Sequence, residues 1–379
     1  MDNVRFGIVG VGGMGSGHAS SMPDIPEAEL TAVCDISPEA LSAATEAFNV
    51  PGFDNHIDLL ESGLVDAIII ATPHYFHPPI AVDAMERGIH VISEKPMAVT
   101  VAGAEAMIKA AERTGVVFSV MFQLRALPEN QAAKRLIEEG RLGKIYRTLL
   151  TDCHFRSQAY YNSAGWRATW KGEGGGVLLN QAPHGMDIFT WLAGMPSRVI
   201  ANVSTRQHMI EVEDEASALL EYENGAIGYF LETVNEYPTG IRIELCGELG
   251  KLVLEGGQLH FWEVKPGVRA ASDETTEMWG RPEVEEVEVE LKERQTGHAA
   301  IIRNVVCAIL HQEPLISPGP EAIRSLELAN AILLSGHKNK PVTLPVDREE
   351  YNAFIEAKKA TSKDKDVEDQ RITDPHHLT

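Results

Sequence analysis

The sequence predicts an α/β Rossmann domain with a doubly wound parallel sheet, followed by an α+β domain with a large open, mainly antiparallel sheet. Three observations carry this reading. A glycine fingerprint, Gly10-Val-Gly12-Gly13-Met14-Gly15, follows the apolar run Val-Arg-Phe-Gly-Ile-Val and opens a helical stretch. Short apolar runs then alternate with helical segments to about residue 121, the pattern of β/α units. From about residue 145 strand-like runs succeed one another instead.

The fingerprint has the context that a dinucleotide site needs. Gly10 permits the tight turn, Gly12 lets backbone amides approach a pyrophosphate, and Gly15 lets the helix pack close to the strand. The helix N-terminus adds unpaired N–H groups and a partial positive charge. Asp35 lies twenty positions after Gly15, at the end of the next apolar run. A carboxylate there accepts hydrogen bonds from both ribose hydroxyls and repels a 2′-phosphate. Ile36 and Ser37 follow, with no adjacent Arg to pair with that phosphate, so the expected cofactor is NAD rather than NADP.

At 379 residues the chain is long enough for two domains. Its formal charge of −22 argues against nucleic acid or an anionic membrane as partner, since both require a basic surface. No apolar run reaches membrane-spanning length, and Met1-Asp-Asn leads straight into a strand, so a cytoplasmic location is expected. The four cysteines, Cys34, Cys153, Cys246 and Cys307, show no paired spacing and read as reduced thiols; no metal site is expected.

Taken in order, Ser37-Pro38-Glu39 starts a helix to about residue 48, with Ser as N-cap and Pro in the first turn. Residues 66–72 form an Ala/Ile run, as in a strand buried on both faces. A helix over 78–87 stops at Gly88, and residues 90–93 form another strand, followed by Glu94-Lys95-Pro96. An Ala-rich helix over 101–113 ends at Gly115, and 116–121 is the next buried strand. Asp35, Thr72, Glu94, Lys95 and Gln123 then lie at strand C-terminal ends, where doubly wound sheets bind ligands. In the second part, strands are expected over 145–155, 198–205, 215–221, 226–233, 242–246 and 251–254, with Gly247-Glu-Leu-Gly250 as a hairpin turn. Residues 287–291, Val-Glu-Val-Glu-Leu, alternate most clearly and read as an exposed strand with an outward row of Glu. A helix over 320–336 follows, and the charged, apolar-poor segment after about Lys358 has the composition of a tail that cannot fold alone.

Two further constellations bear on chemistry. Lys95, at a strand end beside the expected nicotinamide, is positioned to hydrogen-bond a reacting hydroxyl. Gly174-Gly-Gly-Val-Leu-Leu-Asn180-Gln-Ala-Pro-His184-Gly-Met-Asp187 leads into an amphipathic helix, with Pro183 marking its start. Asn180 and His184 share a face only if that helix begins early. Taken alone, a His at a helix start is more often structural than catalytic.

These segments occur in order and at matching spacing. With Ala71-Thr72-Pro73, His77 and the closing Val342-Thr-Leu-Pro, they resemble the glucose–fructose oxidoreductase / inositol dehydrogenase (Gfo/Idh/MocA) family from about residue 4 to residue 345. The resemblance implies reversible hydride transfer between NAD(P) and a carbinol carbon of a sugar or cyclitol, in a homodimer or homotetramer built on the open sheet. It implies that Lys95 binds the reacting hydroxyl, His184 accepts its proton, and Asp187 contacts a substrate hydroxyl or holds the helix start. Thr72, Pro73, His77, Glu94 and Gln123 would line the nicotinamide half of the site, completing a cofactor set with Gly10, Gly12, Gly13, Met14, Gly15, Asp35 and Ile36. Many members have Asp four residues before the His; this chain has Asn180, expected to orient His184. The segment Tyr160-Tyr161 to Trp166-Arg167-Ala-Thr-Trp170-x-x-Glu173 is similar to a branch that oxidises C3 of anhydrosugars and glycosides. It makes Tyr161 and Arg167 expected sugar contacts and puts Trp166 and Arg167 beside the cofactor. The expected domains are 1–124 for NAD, 125–357 for substrate and oligomerisation, and a tail at 358–379. Two other functions fit the same motifs: redox-assisted glycoside cleavage with recycled NAD, and a non-catalytic NAD-binding regulator.

Overall fold

The computed structural model describes residues 3–363 and 365. Among these, the strands form two sheets. The first contains β1 (Val4–Val9), β2 (Ala28–Cys34), β3 (Gly52–Phe53), β4 (Ala67–Ile70), β5 (His90–Ser93) and β6 (Phe118–Val120). All are parallel, in the order β3-β2-β1-β4-β5-β6. This is the doubly wound order whose ligand crevice opens where the strand order reverses, beside β1. The unbroken Ala/Ile run of β4 has a simple cause. Ile68 and Ile70 join one core cluster while Ala67 and Ile69 join the cluster on the opposite face, so neither face of the strand meets water.

The second sheet contains β7 (Ile145–Phe155), β8 (Arg198–Ser204), β9 (Glu215–Glu221), β10 (Ile227–Thr233), β11 (Asn235–Gly247), β12 (Gly250–Glu255), β13 (Gln258–Lys265), β14 (Glu283–Glu286) and β15 (Val342–Thr343). Its order is β14-β13-β12-β11-β7-β10-β9-β8-β15, antiparallel except for the β7–β10 pair. One face, with Leu150, Phe230 and Ile243, packs under the Pro183–Ala193 and Gly319–Lys338 helices. The other leaves Ile200, Ile227 and Tyr229 exposed.

Three expectations need correction. Residues 287–291 are not a strand; β14 ends at Glu286, where its pairing with β13 stops at Trp262. Val287 and Val289 still turn toward the core, and Val287 N donates to Phe261 O at 2.9 Å, so the alternation reported a buried face that the ladder does not continue along. Lys358 to Thr361 belong to the Arg348–Thr361 helix, and Ser362 and Lys363 bond to Glu211. The rest of the expected tail, 364 and 366–379, lies outside the described residues. Helices at Pro128–Glu138 and Gly297–His311 carry no sequence signal strong enough to have been read.

The Gly297–His311 helix, although late in the chain, packs Ile301, Ile302, Val305 and Val306 against Phe6, Ile8 and Ile69 of the first sheet. Asn330, fully buried, accepts from Val101 N and donates to Val99 O, both at 3.1 Å. Late segments therefore complete the early core, and the crevice above the first sheet is roofed by the second domain.

Candidate active site

The cofactor end begins at the glycine turn. Gly10 has φ +90°, and a Cβ there would lie 2.7 Å from the Ala71 carbonyl oxygen. At Gly15 a Cβ would overlap the Gly10 carbonyl. At Gly12 it would meet nothing within 4 Å. Gly10 and Gly15 are thus demanded by the chain's own packing, whereas Gly12 faces open space of the kind a pyrophosphate fills. The Gly13–Ser21 helix has no side-chain cap, which leaves its first N–H groups pointing at that space. Asp35 Oδ2 accepts from Val11 N and Oδ1 from Ser37 N, both at 2.8 Å, so the glycine turn and the loop after β2 fix the carboxylate. Met14 and Ile36 are exposed on the rim.

At the ends of β4 and β6, Thr72 Oγ1 and Gln123 Oε1 are buried with no hydrogen-bond partner among the described residues. Orphaned polar atoms at strand ends, beside an open glycine cradle, fit a nicotinamide dinucleotide. Two residues expected to line the nicotinamide are held by partners within the fold. His77 is fully buried, with its ring nitrogens 2.9 Å from Pro96 O and 2.7 Å from Thr72 O, so it ties together the loops after β4 and β5. Glu94 is also buried. Its Oε1 meets His18 Nε2 at 2.8 Å and its Oε2 accepts from Lys95 N at 3.1 Å. Burial works against its charge, but the His18 hydrogen bond and the Lys95 charge outweigh it and hold the carboxyl at about 2. Pro73 precedes the short turn that carries His74, whose Nδ1 reaches Glu173 O at 3.0 Å.

The substrate end is assembled by Lys95. Its Nζ donates to the Asn180 carbonyl oxygen at 2.8 Å. Burial lowers the ammonium's pKa, opposed by the Glu94 and Glu173 carboxylates. The Val177–Asn180 helix that presents this carbonyl is held by Glu213, which accepts from Gly176 N at 2.8 Å and Leu178 N at 3.1 Å. The Asn180 side chain does not orient His184. Its amide nitrogen donates to Glu173, and its oxygen accepts from Tyr160 Oη at 3.3 Å and Gln181 Nε2 at 3.1 Å.

Tyr160, rather than the expected Tyr161, is the hub of this wall. It accepts from Arg167 Nη1 at 2.5 Å, and the Arg167 guanidinium lies 4.3 Å from its ring centre. Tyr161 is buried away from the opening, with its ring 4.7 Å from that of His208. Trp166 is partly exposed beneath the same guanidinium, at 4.7 Å. Trp170 is a core residue, packed on Phe354 and His337. Arg167 Nε is buried with no hydrogen-bond partner among the described residues. Glu173, 1% exposed, accepts from Ala168 N at 2.5 Å and sits 3.9 Å from Arg167. Sequence reasoning passed over Tyr160, Glu173 and His18 as site residues. The only signal for the first two was their place in the aromatic segment, and nothing local marked His18.

His184 enters from the first turn of the Pro183–Ala193 helix, with Pro183 at its start as expected. Its ring packs edge-on to Phe122 at 5.9 Å, and Nδ1 is buried without a partner among the described residues. Burial, then the Lys95 charge, depress its pKa to about 3 and keep the imidazole neutral. Asp187, one turn on, is not open to a substrate. Its oxygens take both Arg125 Nε and Nη2, at 2.7 and 2.8 Å, with both side chains 1% exposed. Arg125 Nη1 also reaches Glu321 at 2.7 Å, so the trio ties the helix to the Gly319–Lys338 helix. Arg125 had no sequence signal, because its partners lie 62 and 196 residues away.

Residues 4–122 match the family model described as the oxidoreductase family, NAD-binding Rossmann fold, and residues 130–253 match the GFO/IDH/MocA C-terminal domain. The solved WlbA dehydrogenase of Bordetella pertussis, in complex with NADH and UDP-GlcNAcA, is 32% identical, with a TM-score of 0.76 over 91% of this chain and 100% of that one. The levoglucosan dehydrogenase of Pseudarthrobacter phenanthrenivorans is 28% identical over 67% of this chain and 74% of its own length. The rhizopine catabolism protein MocA of Rhizobium meliloti is 30% identical over 60% of this chain and 70% of its own. Two-domain architecture, glycine cradle and family models converge: the chain belongs to the Gfo/Idh/MocA oxidoreductase family and carries that family's NAD-binding Rossmann domain.

Proposed function

We propose that this protein is an NAD-dependent dehydrogenase that oxidises a secondary carbinol of a pyranose sugar, glycoside, anhydrosugar or cyclitol to the ketone. The observation that carries this reading is a neutral, half-buried His184 with an unpartnered ring nitrogen, lying in the field of the Lys95 ammonium. Bound NAD supplies the hydride acceptor. Lys95 donates a hydrogen bond to the hydroxyl oxygen and stabilises its developing negative charge. His184 takes the hydroxyl proton on its ring. The Asn180 carbonyl holds Lys95 Nζ in place until substrate arrives. The Arg167–Tyr160–Trp166 wall offers aromatic faces to the C–H side of a pyranose and a free donor to its hydroxyls. Asp35 supports NAD over NADP by accepting ribose hydroxyls and repelling a 2′-phosphate.

The exposed apolar side chains on the outer face of the second sheet support a homodimer or homotetramer. All four cysteines are unbonded, consistent with a reducing cytoplasm. No helix among the described residues is long and apolar enough to cross a membrane. The test is a panel of pyranoses, glycosides, anhydrosugars and cyclitols, run with NAD and NADP in parallel and followed by reduced-nicotinamide absorbance. Net NADH formation with at least one of them is expected. Aryl glycosides cleaved without net NADH, or no turnover at all, overturn the proposal.

A further inference from the structure

Three ionisable side chains with no part in the chemistry above meet on the inner face of the second sheet. Asp152 and His154 are two residues apart on β7, so their side chains share a face. Glu232, on β10, stands directly opposite Asp152 in the parallel β7–β10 ladder and shares that face too. His154 Nε2 is 3.0 Å from Asp152 Oδ1 and 3.6 Å from Glu232 Oε1, and one donor atom from each residue lies within 4.8 Å of the other two. Donors around one ion at bond lengths of about 2.0–2.2 Å stand roughly 3.0–3.5 Å apart, so the spacing is near that of a formed coordination shell.

The second observation is Glu232 itself. It is 0% exposed, and neither carboxylate oxygen receives a hydrogen bond from any described residue. Asp152 is buried as well, under Gly185, where a Cβ would collide with Asp152 Oδ2 and press on Ile241. Two buried carboxylates facing one imidazole can be neutralised by an added cation, with a proton as its competitor. The His154 side chain is 28% exposed, which leaves a way in and room for water on that side.

We propose that Asp152, His154 and Glu232 bind one divalent transition-metal ion through two carboxylate oxygens and one imidazole nitrogen. Three protein donors with an open side match sites that keep a position for water or another ligand. The mixture of imidazole and carboxylate, without thiolate, suits Zn²⁺ or Mn²⁺. The ion would sit beneath Gly185, next to the turn that carries His184. The sequence reading expected no metal, because the donors are split between two strands 78 residues apart with no ligand-like spacing.

The full chain, stripped by chelator and dialysed, is titrated with MnCl₂ by electron paramagnetic resonance and with ZnCl₂ by calorimetry, without substrate or cofactor. One ion per chain is expected, with a rise in melting temperature by mass action. Glu232→Gln and His154→Ala should each weaken binding by about tenfold or more. Should Glu232→Gln fail to fold, His154→Ala, at a partly exposed position, carries the test alone. No stoichiometric ion at millimolar concentration overturns the proposal and leaves a proton as the shared cation. Binding unaltered in His154→Ala overturns it equally. Because substrate is absent, failure here is distinguishable from failure of the dehydrogenase reading.

Discussion

The two sheets deliver their polar groups to the crevice in different ways. In the first, side chains arrive at strand C-terminal ends, so position along a strand determines which residues reach the crevice: Asp35 after β2, Thr72 after β4, Lys95 after β5. In the second domain the wall comes from loops and from the first turn of a helix, and neighbouring residues have opposite fates. His184 keeps a free ring nitrogen, while Asp187, one turn later, is locked to Arg125. Tyr160 faces the crevice network and Tyr161 does not. Strand-end geometry can be extrapolated from local sequence; pairing by remote partners cannot.

The largest expected effect tests the locked half. Asp187→Ala leaves the buried Arg125 guanidinium with Glu321 but without its bidentate partner, which should cost about 3 kcal/mol of stability in denaturant unfolding, with KM of the folded fraction little changed. Unaltered stability with a raised KM would return Asp187 to the substrate. The reacting half is probed by Lys95→Ala, which should lower kcat by about a hundredfold or more with NAD affinity nearly intact. Near-normal turnover would make Lys95 a turn residue.

Asn180→Asp sharpens the boundary between the two halves. The amide donates to the buried Glu173, so a carboxylate there places like charges side by side and should cost roughly 1–3 kcal/mol. Because Asn180 does not touch the imidazole, the acid limb of kcat/KM should not move. A limb shifted to higher pH would mean that the two residues are coupled after all. Asp35→Ala is expected to shift the NAD/NADP preference by about tenfold toward NADP, through loss of ribose hydrogen bonds and of charge repulsion. An unchanged ratio would free Asp35 from the ribose. The smallest effect is an absence of change. His184 must be neutral to accept a proton, and it protonates only as pH falls toward about 3. The kcat/KM profile should therefore show no acid limb from His184 down to about pH 5. A limb near the ordinary histidine range would show that the ring is less shielded than its surroundings imply.

Much of the fold was legible because the relevant signals are local. Helix Pro38–Phe48 begins where Ser37 caps it, accepting from Ala40 N at 3.3 Å, and β5, β7 and β9 fall where the apolar runs lie. The hairpin between β11 and β12 turns at Glu248 and Leu249, between Gly247 and Gly250. What failed was non-local. Residues 287–291 alternate like a strand, yet the ladder with β13 ends at Glu286, followed by a single bond from Val287 N to Phe261 O. The Gly297–His311 helix needed the first sheet beneath it before its apolar face had meaning.

The sequence by itself determined the two-domain fold class, the glycine cradle, the acidic residue at the end of β2, and the family, because each depends on residue type at short spacing. Tertiary structure decided which polar side chains are consumed and which stay free. His77, Glu94, Asn180 and Asp187 are taken up by partners in the fold, whereas Thr72, Gln123 and His184 retain unpartnered atoms. A buried polar group must find a partner, and the partners found here come from segments up to 76 residues away along the chain.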